Sequence, residues 1–355
     1  MLVLELALVC LILVSAILVA AFRDPIGATA VFAAFSLGMA LVWALLAAPD
    51  VALTEAAVGA GVMVILLLVA AVRTSRDQLP AYFEDGPALR PLNRRAVIVI
   101  GGLIIPLTYS VLSFPRVGDV EAPGVSETDP TGKPSPYAHY IGDATADLGI
   151  SNAVGAVLVV FRSLDTLGEV IVVFTGLIGV LIVLARSVSI TDFRTELDSS
   201  IEYPDPTVMS PVGSTAVRLV VPLVFVFGVY LITVGTTLPG GGFQGGVVVG
   251  ATFVLMGLIF GSVPTAQWTD KRVVAWGIVI AILVFISYLL WSSWPGETVG
   301  GDTRLAVPPH IVVEVIEVAI GVLVGAVVLT LVYAMAFGVY EESRDDRPDT
   351  EETTQ

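Results

Sequence analysis

Cysteine, lysine and histidine are almost absent from this chain of 355 residues, which contains one Cys, two His and two Lys. The single cysteine, Cys10, excludes an internal disulfide and a cysteine-ligated metal site. Charged residues make up only 14% of the chain, whereas 56% is hydrophobic. A water-soluble protein of this length could not cover so much apolar surface, so these proportions exclude a soluble globular domain.

Uncharged apolar runs of about 20 residues recur along the chain, and each can cross the ~30 Å hydrocarbon layer as a helix. The predicted fold class is therefore an all-α polytopic transmembrane protein. The first run carries Glu5 and lacks a basic leader and a small-residue cleavage site, so we expect a retained helix, not a signal peptide. The nine predicted spans are 2–22, 26–47, 51–72, 96–113, 168–186, 216–236, 245–262, 273–291 and 311–337.

The distribution of positive charge predicts an orientation. With the N-terminus outside and nine crossings, all but four of the 17 Lys and Arg residues fall in cytoplasmic segments. The four on the outer side are Arg116, Lys133, Arg162 and Arg304. The sequence thus predicts a multi-pass protein of the cell (plasma) membrane with a cytoplasmic C-terminus.

Acidic residues concentrate in the loops and the tail and give a net charge of −15. Such loops are typical of a salt-adapted proteome, although ordinary acidic loops would look the same. Nothing in the charge pattern indicates nucleic-acid binding.

Two polar breaks, 73–95 and 187–215, divide the chain into modules. We predict a three-helix module (1–78), a two-span module (92–190), a four-helix module (211–340) and an acidic tail (341–355).

The segment FRSLDTLGEV, residues 161–170, places Arg162, Asp165 and Glu169 inside an apolar region. The 36 residues from Ser151 to Arg186 would form a helix of ~54 Å, too long for one crossing. We therefore expect a break around Ser163–Gly168 and a short broken or re-entrant helix near 151–163. Arg162 can neutralise Asp165, which leaves Glu169 to bind a cation or proton. The alternative is an Arg–Asp pair that only pins the end of a broken helix.

This segment resembles the FR-x-x-DTLGE signature of the large subunit of Mrp-type multisubunit cation/proton antiporters, which is also found in membrane-bound hydrogenases. The resemblance implies that Asp165 and Glu169 belong to the cation or proton path, with Arg162 in support.

The stretch APDVALTEAAVGAG is similar to the APD-x-ALTE pattern in a C-terminal domain of the same large subunit, and to a glycine-hinged helix of complex I. The match implies that Glu55 is an intramembrane acid on the proton route, with Thr54 beside it. Gly59 and Gly61 permit close helix contact or a π-type irregularity. We expect Asp50 to cap the start of its helix.

The run PGGGFQGG resembles the signature of the small B subunit of Mrp antiporters and predicts a tight turn between two closely packed helices. Its Gly240-x-Gly242-x-x-Gly245 spacing lacks the strand and acidic partner of a dinucleotide site, so no cofactor is expected. We expect this run to contact neighbouring subunits through Gly240, Gly241, Gly242, Phe243 and Gln244.

The last span begins with His310, Glu314 and Glu317 at i, i+4 and i+7. This spacing suits a divalent metal only weakly, and a polar face with Glu314 and Glu317 as proton-exchange groups is the preferred interpretation.

The resemblance implies a membrane subunit of a Na⁺/H⁺ antiporter, not an enzyme, lying in the lipid bilayer. Both lysines fall in loops, so the resemblance also implies that large proton-channel subunits and small membrane subunits are its partners. The alternatives are a subunit of a complex I- or hydrogenase-related pump and a non-conducting scaffold.

Overall fold

A computed structural model of the chain describes residues 2–75, 93–116, 135–146, 148–187, 211–260, 271–292 and 308–337, with isolated residues between 119 and 132. Within these residues the chain is almost entirely helical, which confirms the all-α class. In chain order the helical segments are α1 (Leu2–Ala21), α2 (Pro25–Leu45), α3 (Pro49–Thr54), π1 (Glu55–Val62), α4 (Met63–Ser75), α5 (Arg94–Leu112), α6 (Pro136–Ala146), α7 (Ala153–Ala156), π2 (Val157–Phe161), α8 (Ser163–Ser187), α9 (Pro211–Thr233), α10 (Gly242–Phe260), α11 (Lys271–Ser292) and α12 (Pro309–Phe337).

Several helical stretches are long and apolar enough to cross a membrane, which fits the multi-pass prediction. The six that meet this condition among the described residues are Pro25–Leu45, Pro49–Ala71, Ser163–Leu184, Val212–Thr233, Arg272–Ser292 and Pro309–Met335. Shorter apolar helices occupy Glu5–Ala21, Val97–Leu112 and Gly242–Gly257. Each predicted span overlaps one of these stretches, while the number of nine crossings stays a prediction.

Polar side chains fix where some of these helices begin. Asp24 accepts hydrogen bonds from two following backbone N–H groups, and Pro25 occupies the first turn of α2. Asn152 caps α7 in the same way through its side-chain oxygen. These caps satisfy N–H groups that a helix start leaves without a partner.

Two segments depart from α-helical geometry at the places where the sequence carries its unusual residues. The π-helix π1 continues α3 into α4 and contains Gly59 and Gly61, which confirms the predicted irregularity. The second, π2, ends at Arg162, whose φ of −128° and ψ of 37° are not helical. The predicted helix break therefore exists, one residue before the expected window.

Helices α10 and α12 form the tightest contact, along a row of glycines. Gly242, Gly246 and Gly250 recur every four residues on α10 and face Gly321 and Gly325 on α12. A Cβ added at Gly246 would lie 2.6 Å from the Gly321 carbonyl oxygen. Small residues at this spacing let two helix backbones approach closely within a membrane.

The α12 helix is the central element of the fold. Of its most apolar window 67% is buried inside the chain, against 28% or less in the other five long spans. It contacts α4, α8, α9, α10 and α11. Because these neighbours come from all three predicted modules, α12 brings residues far apart in sequence to one region.

Candidate functional site

Glu55, the first residue of π1, lies against α2. Its Oε1 accepts a hydrogen bond from the hydroxyl of Ser36, which is fully buried in α2. Gly59, one turn further, leaves room for this pair, because a Cβ there would clash with Ser36 Oγ and would lie 2.5 Å from Glu55 Oε1. The glycine in this irregular helix therefore admits a hydroxyl–carboxylate pair into a membrane span.

Asp50 does not cap its helix, contrary to expectation. The residue before α3 is Ala48, which makes no side-chain cap hydrogen bond. Asp50 already lies within the first turn, one position too late for its side chain to act as an N-cap. Its buried carboxylate instead accepts hydrogen bonds from Gly240 N–H (3.0 Å) and from Asn152 Nδ2 (3.2 Å).

Asn152 is the second polar residue that holds the glycine-rich turn. Its Nδ2 also donates to the carbonyl oxygens of Gly235 (3.0 Å) and Leu238 (3.1 Å), and its backbone N–H donates to the carbonyl oxygen of Thr236 (3.1 Å). We call Asp50 and Asn152, with the turn 235–240 that they bind, the hairpin clamp. Residues of the first and second predicted modules thus hold a turn of the third.

Glu317 is the buried acid of α12, with 5% of its surface exposed. Its carboxylate accepts a hydrogen bond from Gly242 N–H, immediately beyond the clamp. Gly241, at φ 133°, has a backbone conformation that strains any side chain. A Cβ there would lie 3.1 Å from Glu317 Oε2 and 3.2 Å from Gln244 Oε1. The glycine run therefore presents bare backbone to a buried carboxylate.

The structure places this run differently from the expected contact surface for other subunits. Gly240, Gly241, Gly242 and Gln244 are buried within the chain, where the lack of Cβ atoms lets α12 approach. Phe243 is half-buried and packs against the chain's own hydrophobic core. Their contacts are thus intramolecular, and contact of Phe243 with another subunit stays a prediction.

The charged residues at 162–169 lie on the outside of the chain. Arg162 and Asp165 form the expected ion pair, with 59% and 53% of their side chains exposed. Glu169, one turn further along α8, is also exposed. The structure therefore brings Arg162 and Asp165 together but leaves the whole group facing away from the core.

Two hydroxyl groups stabilise the broken helix next to this charged group. Thr166 Oγ1 donates across the break to the Leu158 carbonyl oxygen at 2.6 Å. Tyr288 of α11 donates to the Val159 carbonyl oxygen at 2.9 Å. Both acceptors belong to π2, so the irregular turn has hydrogen-bonding partners.

The three polar residues at the start of α12 have different environments. His310 is exposed, Glu314 is half-buried, and only Glu317 reaches the glycine turn. Among the residues that the structure describes, no group of three or more His, Cys, Asp or Glu could hold a metal ion. Thr54, expected to support Glu55, donates to the Asp50 carbonyl oxygen at 2.9 Å.

Comparison with known families assigns both ends of the chain. Residues 10–76 match the MbhD family, the D subunit of MBH, and residues 212–336 match the "Domain related to MnhB subunit of Na+/H+ antiporter". The chain therefore joins an MbhD domain to an MnhB-related domain, the arrangement of an Mrp-type A/B fusion.

Individual relatives show the same arrangement. Over 254 residues the chain is 25% identical to a probable K(+)/H(+) antiporter A/B subunit of Rhizobium meliloti (strain 1021), covering 65% of this chain and 23% of that protein. It is 30% identical over 157 residues to an uncharacterized protein of Methanocaldococcus jannaschii, covering 42% and 54%. The chain thus spans about a quarter and about half of these relatives.

The fold is similar to that of a chain in the solved structure of the Mrp complex from Dietzia sp. DQ12-45-1b. The TM-score is 0.62 at 21% identity, and the match covers 96% of this chain and 35% of that one. The likeness extends through the segment between the MbhD and MnhB-related domains.

Sequence reasoning missed Ser36 and Asn152 and misassigned Asp50. Asn152 directly precedes an apolar run, which indicates a helix cap, but nothing local shows that its amide reaches the MnhB-related domain. Ser36 is a lone hydroxyl in an apolar helix of the MbhD domain, and the position of Gly59 opposite it is visible only in three dimensions.

Proposed function

We propose that this chain is an integral membrane subunit of a multisubunit antiporter that exchanges a monovalent cation, Na⁺, for protons, and that it supplies part of the ion path. The observation that carries the proposal is the presence of an MbhD domain and an MnhB-related domain in one multi-pass chain. Both domain types are named after subunits of ion-translocating or antiporter complexes, and their acids lie within apolar helices.

The exposed charges at 162–169 support a path that is shared with another subunit. Charged side chains within a membrane-spanning helix face protein or water, because contact with lipid is unfavourable. The pair of Arg162 with Asp165 leaves the Glu169 carboxylate as an unbalanced negative charge on this face. We therefore place Asp165 and Glu169 on a cation or proton route that a partner subunit covers, with Arg162 orienting the acids.

The interior acids supply a second element of the path. A serine hydroxyl donates to an ionised carboxylate and accepts from a protonated one, so Ser36 can serve Glu55 in either protonation state. This suits Glu55 to a proton relay in the MbhD domain. Glu317, in the MnhB-related domain, is the corresponding buried acid, and Glu314 precedes it by one turn toward the start of α12.

The remaining features of the proposal follow the sequence predictions. The protein lies in the cell membrane with nine crossings, a cytoplasmic C-terminus and the module boundaries given above. It is a transport subunit, not an enzyme, and its partners are the large proton-channel subunits and the small membrane subunits. The contacts of Asp50 and Asn152 with Gly240 support this topology, since nine crossings place all three residues at the outer side.

The test is cation-driven ΔpH in inverted membrane vesicles that contain the full subunit set. Asp165→Asn combined with Glu169→Gln should abolish most exchange with Na⁺ while native gels show an assembled complex. Glu5→Gln is the matched control, because Glu5 is an exposed acid of α1 that resembles no motif, and it should leave exchange unchanged. Parallel runs with K⁺ determine which cation is carried.

Wild-type exchange in the double variant would make this chain a non-conducting scaffold. The match of the MbhD domain to a subunit of a membrane-bound hydrogenase favours one further candidate, a subunit of a hydrogenase- or complex I-related pump. In that case wild-type vesicles show no cation-driven ΔpH until a redox substrate is added.

A further inference from the structure

The glycine turn that meets Glu317 has little to hold it in place by itself. Gly240, Gly241 and Gly242 lack side chains, and glycine loses more conformational freedom on folding than any other residue. Yet the Gly242 N–H is fixed on a buried carboxylate. A buried carboxylate without a hydrogen-bond donor is strongly unfavourable, so something outside the turn must set the direction of this N–H group.

The hairpin clamp provides that restraint. Asp50 binds the Gly240 N–H, two residues before the donor to Glu317. Asn152 binds three carbonyl groups of the same turn, those of Gly235, Thr236 and Leu238. Asp50 and Asn152 also bind each other at 3.2 Å. Both are more than nine-tenths buried, so these hydrogen bonds form where water does not compete.

We propose that Asp50 and Asn152 are positioning residues for ion exchange: they hold the turn so that the Gly242 N–H stays directed at the Glu317 carboxylate. The inference rests on the proposed function, because it assigns a role in exchange to two residues that only act through Glu317. Asp50 is not itself a cation ligand in this scheme. Its carboxylate is already occupied by two donors from the protein.

The test compares variants that keep or remove the acceptor at position 50. Asp50→Asn keeps an oxygen that can accept from both donors, so its maximal exchange rate should stay within about threefold of wild type. Asp50→Leu has similar volume but no acceptor, and its maximal rate should fall about five- to thirtyfold. For both variants the half-saturating cation concentration should stay close to wild type, since no ligand has been removed.

Two further variants separate the clamp from general effects. Asp24→Leu removes a helix cap of the same residue type that has no contact with the turn, and it should exchange like wild type. Asn152→Ser keeps a good capping oxygen but loses the amide that reaches Asp50 and the turn, and it should lower the rate as Asp50→Leu does. Asn152→Ser also keeps the test decisive if Asp50→Leu does not assemble.

Three results would overturn the inference. Exchange at the wild-type rate in Asp50→Leu or Asn152→Ser would show that the clamp is not needed. Loss in Asp50→Asn as severe as in Asp50→Leu would make the charge, not the hydrogen bonds, the active feature. A raised half-saturating cation concentration in Asp50→Asn would make Asp50 a ligand. Absence of exchange in wild-type vesicles, by contrast, would refute the proposed function and is distinguished by that control.

Discussion

The glycine row between α10 and α12 makes the most quantitative prediction, for the substitution Gly246→Ala. The added Cβ would lie 2.6 Å from the Gly321 carbonyl oxygen and 2.9 Å from Gly321 Cα. Both are backbone atoms, so no side-chain rotation can relieve the clash. Carbon–oxygen contacts normally begin at about 3.3 Å, so the helices must separate by roughly 0.7 Å at this point.

A separation of that size weakens the whole contact. A radial gap of about 0.5–1 Å loses a quarter to a half of the dispersion attraction between facing atoms, and overpacking typically costs about 1–3 kcal/mol. The gain in helix propensity from Gly to Ala offsets up to about 1 kcal/mol. We therefore expect Gly246→Ala to lower the free energy of unfolding by about 1–2 kcal/mol.

The measurement is SDS-induced unfolding of the full-length chain in detergent, followed by circular dichroism. Gly101→Ala in α5 is the matched control, because a Cβ there meets no heavy atom within 4 Å. This variant should be neutral or more stable by up to about 1 kcal/mol. Equal unfolding free energies for the two variants would refute the close helix contact as the reason for the glycine row.

Three further substitutions test single hydrogen bonds in the same unfolding and exchange assays. Ser36→Ala removes the hydroxyl bound to Glu55 and should cost about 1–3 kcal/mol and lower exchange; unchanged exchange would contradict a proton relay there. Tyr288→Phe removes the donor to the Val159 carbonyl and should cost about 1 kcal/mol with exchange intact; a neutral effect would mean that π2 needs no partner from α11. Thr166→Val should cost about 1 kcal/mol by releasing the helix break, and unaltered stability would contradict the role given to this hydroxyl.

The sequence predicted features that depend on local chemistry. Apolar run length predicted the positions of the helices, and the glycines after Glu55 predicted the irregular turn that became π1. The excessive length of the segment from Ser151 to Arg186 predicted its break. The Arg162–Asp165 pair followed from their spacing and formed despite the non-helical backbone at Arg162.

Contacts between modules were not predictable in this way. Asp50 and Asn152 are 102 residues apart, and Asp50 and Gly240 are 190 apart. No local pattern links such residues, because the contact depends on how helices of different modules pack. The prediction that Asp50 caps its helix failed for this reason: a short acid near a helix start fits a cap locally, whereas a buried donor elsewhere in the fold determined its partner.

The acids of this chain fall into two groups whose environments differ. Asp50 and Glu317 are buried, and the same glycine turn donates a backbone N–H to each of them. Asp165 and Glu169 are exposed on a membrane helix, where lipid would be an unfavourable neighbour. The buried pair is complete within the chain, whereas the exposed pair requires a second protein surface. A route that uses both must therefore pass between subunits, so the loss caused by Asp165→Asn should depend on the partner subunit, whereas that caused by Asp50→Leu should depend only on this chain.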